Sequence, residues 1–288
     1  EGVAVRAVLQ ICHGVAEHIA RYDGFARALN EQGIVVAGHD HLGHGKSLPE
    51  GGTPVYFGDG NTWNTVVDDI YVLHQRLKQR YPDVPLCIMG HSMGSFLTRT
   101  YLIRYPGTVK AAVIMGTGWQ PRAAITGGLA LANAIAAVSG ENATSELVTE
   151  LAFGSYNKLF APNRTKVDWL SADESNVDDY IADPLCGADA TVGLFRQMLH
   201  GIRFNQRQSH LRQMDREMPV LFVAGDKDPV GSCGKGVRQT YDAFRAAGMR
   251  DCTLKLYPGL RHEILNEKAY TADITKNIEA WLLSRLEK

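Results

Sequence analysis

Gly90-His91-Ser92-Met93-Gly94 sets a serine between two glycines, each two residues away. A strand-like run, Pro85-Leu86-Cys87-Ile88-Met89, leads into it and a helix-like run follows. That context turns a common pattern into a candidate nucleophile. The glycines allow a sharp turn that holds the serine strained, with its oxygen exposed. A serine hydroxyl attacks only when a base takes its proton, and the base needs an acid to orient it. Two later strand-like runs end in loops that offer both. Val220-Leu221-Phe222-Val223-Ala224 runs into Gly225-Asp226-Lys227-Asp228-Pro229, and Leu254-Lys255-Leu256-Tyr257 into Pro258-Gly259-Leu260-Arg261-His262-Glu263. His262 is the only histidine after Asp228, so it is the base. Asp226 and Asp228 are both available as the acid. Asp228 is favoured because it lies farther beyond the strand end, which leaves Asp226 to cap the turn.

Acyl-transfer chemistry of this kind also needs two backbone N–H groups for the oxyanion. Met93, next after the serine, offers one. Val15 offers the other, because Val8-Leu9-Gln10-Ile11-Cys12 runs into His13-Gly14-Val15 as an early strand into its loop. A competing pattern is His39-Asp40-His41-Leu42-Gly43-His44, with the H-x-H-x-x-H spacing of dinuclear metallo-β-lactamase-type hydrolases. Gly43 stands where such sites carry an acid, which leaves a second metal poorly held. The expectation is therefore no metal and no cofactor.

These residues must be positioned by regular elements. Nearly continuous apolar runs mark strands at Val5–Ile11, Ile34–Ala37, Leu86–Met89, Ala111–Met115, Val220–Ala224 and Cys252–Tyr257. Such runs suit strands buried on both faces. Helical candidates alternate with them at Tyr22–Glu31, Thr62–Arg80, Met93–Arg104, Lys235–Ala247 and Lys268–Leu286. In Thr62–Arg80 the apolar residues Val66, Ile70, Leu73 and Leu77 recur at helical spacing. The alternation predicts an α/β fold, a mostly parallel sheet with helices on both faces. About a hundred residues separate the strand ending near Gly116 from the one opening at Val220. A structureless loop of that length is uncommon. Helical stretches near Ala123–Val138, Ser145–Phe153 and Thr191–Ile202 predict an inserted helical cap over residues 119–207, with 1–118 and 208–288 forming the core. Open α/β sheets bind ligands at the carboxyl ends of their strands, so the cap should roof the site.

Composition removes other classes. The 288 residues are 45% hydrophobic and 21% charged, with a formal net charge of −1. No basic field is present to attract nucleic acid or an anionic membrane. Five cysteines at irregular spacing, with no C-x-x-C, suit free thiols in a reducing compartment and a cytoplasmic location. Ala123–Gly140 carries no charge but is short and weakly apolar for a span. It reads as a buried or pocket-lining helix, with peripheral membrane contact through the cap as the lesser alternative. No secretory signal opens the chain; because it starts at Glu1, a signal segment on the gene product stays open.

Several segments together resemble one family. His13-Gly14-Val15-Ala16-Glu17-His18 with Arg21-Tyr22 resembles the HGxxEHxxRY segment of monoacylglycerol lipases and bacterial lysophospholipases. His39 to Ser47 is similar to their HDHxGHGxS loop, and Gly90 to Ser95 to their GHSMGS elbow. Val177-Asp178-Asp179-Tyr180 and Asp183-Pro184-Leu185 resemble their cap segment. The resemblance implies the α/β-hydrolase fold, a cap-covered acyl tunnel, and hydrolysis of a small lipid ester of glycerol or a glycerol derivative. It implies Ser92, Asp228 and His262 as the triad and Val15 and Met93 as the oxyanion donors. It also implies that Glu17, Arg21, His91 and Tyr180 surround the alcohol group, although Glu17 and Arg21 read equally as an ion pair fixing a loop. Family members usually open with two further strands; here the strand before His13 begins within the first few residues, which would leave an exposed sheet edge. Other readings are a serine aminopeptidase or small-ester esterase on the same scaffold, and a non-catalytic ligand receptor. Chemistry that needs an aspartate nucleophile is excluded by Ser92. Acyl length and oligomeric state stay open.

Overall fold

The structure, a computed structural model, describes residues 3–286. Six strands, β1 (Ala7–Cys12), β2 (Ile34–Gly38), β3 (Leu86–His91), β4 (Ala112–Met115), β5 (Val220–Gly225) and β6 (Cys252–Tyr257), form one sheet in the order β2-β1-β3-β4-β5-β6. Every neighbouring pair is parallel, so the sheet is wholly rather than mostly parallel among the described residues. The chain runs from β1 outward to β2, then crosses back to β3 on the other side of β1. Strand order therefore reverses between β1 and β3, and a crevice opens at their carboxyl ends.

Alternation along each strand divides the core. Leu9, Ile11, Met89, Val113, Leu221 and Val223 face one side and pack with α1 (Asp23–Asn30) and the C-terminal α11 (Thr271–Leu286). Ile88, Ala112, Ile114, Val220 and Phe222 face the other and pack with α2 (Thr62–Arg80) and α3 (Met93–Arg104). A strand buried on both faces favours apolar side chains at every position: β4 and β5 carry no polar side chain, and the buried Gln10 of β1 is satisfied by donating to the Ile70 carbonyl at 2.9 Å. The edge strand β2 is different: beyond Ile34 its residues are only half-buried.

Between β4 and β5 lie α4 (Arg122–Ser139), the short α5 (Glu146–Thr149) and α6 (Ser155–Lys158), α7 (Glu174–Ala182), α8 (Val192–Asn205) and α9 (Gln208–Leu211). The helix expected over Ser145–Phe153 is broken: α5 passes into a single π-turn, Glu150–Gly154, before α6. The amphipathic α7 was not among the expected helices; Asp173 caps it by accepting from Ser175 N–H at 3.0 Å. The stretch expected as a buried or pocket-lining helix at 123–140 is α4, and of the two it is pocket-lining rather than buried. Only Ile125, Leu129 and Ala132 are covered, at helical spacing, and the rest faces outward or sits at the pocket rim. By length and composition α4 could also cross a membrane. The C-terminal helix starts at Thr271, three residues later than expected, because residues 267–270 form a turn there. Beyond α9, α10 (Lys235–Ala246) packs on β5 and β6.

Candidate active site

Ser92 joins β3 to α3 with φ 54° and ψ −123°. A side chain there costs about 1–3 kcal/mol unless its surroundings over-determine it. The glycines on either side are part of those surroundings. A Cβ at Gly90 would overlap the Gly94 carbonyl and the Thr98 hydroxyl, and one at Gly94 would overlap the Cys12 and His13 carbonyls. The turn after β3 thus presses directly on the loop after β1. Ser92 N–H donates to the Met115 carbonyl at 3.1 Å, and Ser95 Oγ donates to the Ser92 carbonyl at 2.6 Å. Met93 is the first residue of α3, where N–H groups have no partner within the helix. Gly14 faces Ser92 so closely that a Cβ there would lie 3.1 Å from the serine Cβ and 2.6 Å from Glu17 Oε1.

His262 and Asp228 come from the loops after β6 and β5. His262 Nδ1 lies 2.9 Å from Asp228 Oδ1, and both side chains are buried. Val230 N–H donates to the same carboxylate oxygen at 2.9 Å, which orients it. Asp226 has another partner: its Oδ1 accepts Gly259 N–H at 2.8 Å and staples the two loops together. The His262 ring packs against His91 and Trp169 at centroid distances of 4.7 and 5.1 Å. Gly116, at φ 57°, supports it from the end of β4, where a Cβ would lie 3.0 Å from His262 Cε1.

Val15, Ser92 and Met93 line one cavity of about 390 Å³. Its other walls are Ile125, Leu131 and Ala132 of α4, Phe195, Met198 and Leu199 of α8, and Phe153, Tyr156 and Trp169. No charged side chain lines it. Trp169, not singled out in the sequence, joins this apolar wall to the His262 ring; an isolated tryptophan in a loop carries no local signal of that contact.

Glu17, Arg21, His91 and Tyr180 gather elsewhere, and none of them lines this cavity. Glu17 Oε1 accepts the Tyr22 hydroxyl at 2.9 Å and the Gly14 N–H at 2.5 Å, and faces His91 Nδ1 at 3.2 Å. Arg21 Nη1 donates to Glu17 Oε2 at 3.0 Å. Its two terminal nitrogens also fork onto Glu263 at 2.6 and 2.8 Å. Asn176 of α7 donates to the same Glu263 carboxylate at 2.8 Å. Tyr180 donates to the Ala16 carbonyl at 3.0 Å, with the Arg21 guanidinium 5.0 Å above its ring. Glu263 and Asn176 were not expected from the sequence, although Glu263 directly follows His262.

Burial raises the Glu17 carboxyl, but the hydrogen bond and charge of His91, with Arg21, outweigh it and hold Glu17 well below the usual range. Glu263 is likewise lowered, burial being outweighed by Arg21. Burial lowers His91, and Glu17 more than offsets it, so His91 is raised.

His39, His41 and His44 do not bring their ring nitrogens into one ligand set. The His41 ring lies tilted against His13 at a centroid distance of 4.2 Å, and its backbone N–H donates to His13 Nε2 at 2.9 Å. Burial and the neighbouring His44 push His13 down to about 3; burial and neighbouring histidines hold His41 well below its ordinary value. The segment is a neutral cluster of tilted and edge-on rings behind the Gly14 loop.

Known proteins resemble the chain over almost its whole length. A family model described as serine aminopeptidase, S33, matches residues 3–269. The chain is 32% identical over 286 residues to a monoacylglycerol lipase of Mycolicibacterium smegmatis, covering 98% of this chain and 89% of that one. It is 28% identical to the monoglyceride lipase of Mus musculus over 288 residues, covering 98% and 84%. A thermostable carboxyl esterase from Bacillus coagulans, solved in complex with glycerol, superposes with a TM-score of 0.92 at 26% identity, covering 99% of this chain and 91% of that one. The chain belongs to the serine aminopeptidase S33 family of hydrolases, as a monoacylglycerol lipase-like α/β-hydrolase.

Proposed function

We propose that the protein is a serine carboxylic ester hydrolase that cleaves monoacylglycerols or lysophospholipid-like lipid esters. The observation that carries this reading is the uncharged apolar cavity into which Ser92 opens beside the buried His262–Asp228 pair. The cavity volume suits a ligand that is mostly hydrocarbon. Ser92 attacks the ester carbonyl while His262 takes its proton. Asp228 holds the imidazole with Nδ1–H towards itself and stabilises the imidazolium. Val15 and Met93 N–H groups hold the oxyanion, each worth about 3 kcal/mol of transition-state stabilisation. His262 returns the proton to the departing alcohol, then activates water to release the fatty acid. Residues 119–207 act as the cap that walls the acyl chain. Glu17, Arg21, His91 and Tyr180 hold the Val15 loop, the elbow and the cap in register, rather than binding the alcohol directly.

An aminopeptidase must hold a substrate ammonium, and a buried cation needs a carboxylate partner. The cavity offers none, which favours a neutral lipid ester. A second cavity of about 480 Å³, between α2 and α8, shares no lining residue with the first and brings no candidate nucleophile.

Ser92→Ala is expected to abolish labelling by a fluorophosphonate probe and to lower monoacylglycerol turnover on the order of a thousandfold or more. Turnover retained in that variant would sink the mechanism. Release of amino acids from peptides by the parent, with no monoacylglycerol cleavage, would select the peptidase reading instead.

A further inference from the structure

Asp183-Pro184-Leu185-Cys186 closes a tight turn between α7 and α8. Cys186 N–H donates to the Asp183 carbonyl at 3.0 Å, and Leu185 N–H donates to Asp183 Oδ1 at 2.9 Å. Proline in second position presets the backbone for such a turn. The other carboxylate oxygen, Oδ2, meets His18 Nε2 at 2.8 Å. His18 is buried on the loop after β1, on the far side of the joint between core and insertion. The ligand atoms of His18, Asp183 and Cys186 all lie within 4.8 Å of one another. Among the described residues no other three histidine, cysteine or acidic side chains gather in this way.

We propose that His18, Asp183 and Cys186 form a binding site for a divalent transition metal of the zinc class. A carboxylate and a thiol three residues apart across a turn have the spacing that metal-binding turns use for paired ligands. The third ligand arrives from a separate loop. An imidazole nitrogen, a carboxylate oxygen and a thiolate sulfur suit zinc and its softer neighbours, and disfavour magnesium and calcium. Tetrahedral bonds of about 2.0–2.3 Å set ligand atoms roughly 3.3–3.8 Å apart, so the widest separation needs to close by about 1 Å while His18 and Asp183, at 2.8 Å, open slightly. On binding, His18 turns the lone pair of Nε2 to the metal and keeps its proton on Nδ1. The Cys186 thiol releases its proton to solvent, and the fourth position stays open to water.

The site would clamp the loop carrying Val15 and Glu17 to the segment after α7. Two hydrogen bonds already cross there: Gly187 N–H and the Tyr180 hydroxyl both donate to the Ala16 carbonyl at 3.0 Å. The assignment is independent of any role for Ser92.

The test is titration of the full chain with Cd²⁺, followed by the ultraviolet thiolate-to-cadmium charge-transfer band. One equivalent should saturate the band, and Cys186→Ser should abolish it. Cys233→Ser, which removes the exposed thiol, should leave it intact. His18→Ala and Asp183→Asn should each weaken binding roughly tenfold or more. Zn²⁺ should raise the thermal midpoint of the parent and not of His18→Ala, because only the folded chain holds the three ligands together. Absence of the band, its persistence in Cys186→Ser, or unchanged affinity in both His18→Ala and Asp183→Asn would overturn the site.

Discussion

At the scale of single residues, the Arg21–Glu263 pair is a buried ion pair with a large energetic stake. Both side chains are almost wholly buried, and the fork is bidentate. Removing one partner of a buried pair leaves the other charge desolvated and unmatched. Glu263→Gln is therefore expected to lower the unfolding free energy by about 3 kcal/mol, towards the low end for such a loss because Glu17 still meets Arg21. Chemical denaturation measures it; a loss under about 1 kcal/mol would show that Arg21 finds water instead. Glu263 adjoins His262, so the same variant should also lower kcat more than it raises KM. Ser92 shows strain of a different kind, a left-handed backbone held by close packing of Gly90 and Gly94 against neighbouring backbone.

At the scale of elements, α4 and α8 decide what the cavity accepts. Ile125, Leu129 and Ala132 recur on the covered side of α4, and Ala132 and Leu131 line the cavity opposite Phe195 and Met198 of α8. Alanine at 132 leaves room that a larger side chain would occupy. Ala132→Trp is expected to shift the preferred ester towards shorter acyl chains, and kcat/KM for long chains should fall about tenfold or more. A series of monoacylglycerols of increasing length reads this directly. An unchanged optimum would mean that the acyl chain does not run along α4. The helix α3 contributes differently: Ser95 N–H donates to the Ser92 carbonyl at 2.8 Å, whereas Met93 N–H, the first of the helix, has no partner within it.

At the scale of the whole molecule, buried histidines and carboxylates set the response to pH. His13, His41 and His44 are held below their ordinary values, chiefly by burial. In the unfolded chain they bind protons near pH 6.5 while the folded chain does not, so stability falls as pH drops below that value. Each contributes a slope of about 1.4 kcal/mol per pH unit until its folded value is reached. His91 is raised, so its contribution is fully present below pH 6.5 and is lost as pH rises through the folded value. Glu17 and Glu263 are lowered, so their stabilisation is present above about pH 4.5 and is lost below it. His39, His74 and His200 are lowered as well, chiefly by burial, and six lowered histidines against one raised give a thermal midpoint that declines steeply from pH 6.5 to pH 5. Calorimetry across that range tests the sign, and a flat profile would contradict it.

Much of the site was legible in the chain because its determinants are local. A strand, a glycine-flanked serine and a helix must occur in sequence for Ser92 to stand where it does, and loop order alone selected His262. The parallel sheet was legible because strands buried on both faces leave no polar alternation to mistake. The partner of His262 was less so: two aspartates shared one loop, position beyond the strand end favoured Asp228, and in the folded chain Asp228 meets His262 while Asp226 holds Gly259. The network of Glu17, Arg21, Asn176 and Glu263 and the packing of Trp169 on His262 could be seen only in the folded chain. Those contacts join residues far apart in sequence, and no propensity or periodicity records which buried charge meets which. Local chemistry set the elbow and its helix; tertiary structure decided which side chains share the crevice, because desolvation and charge pairing act on neighbours in space.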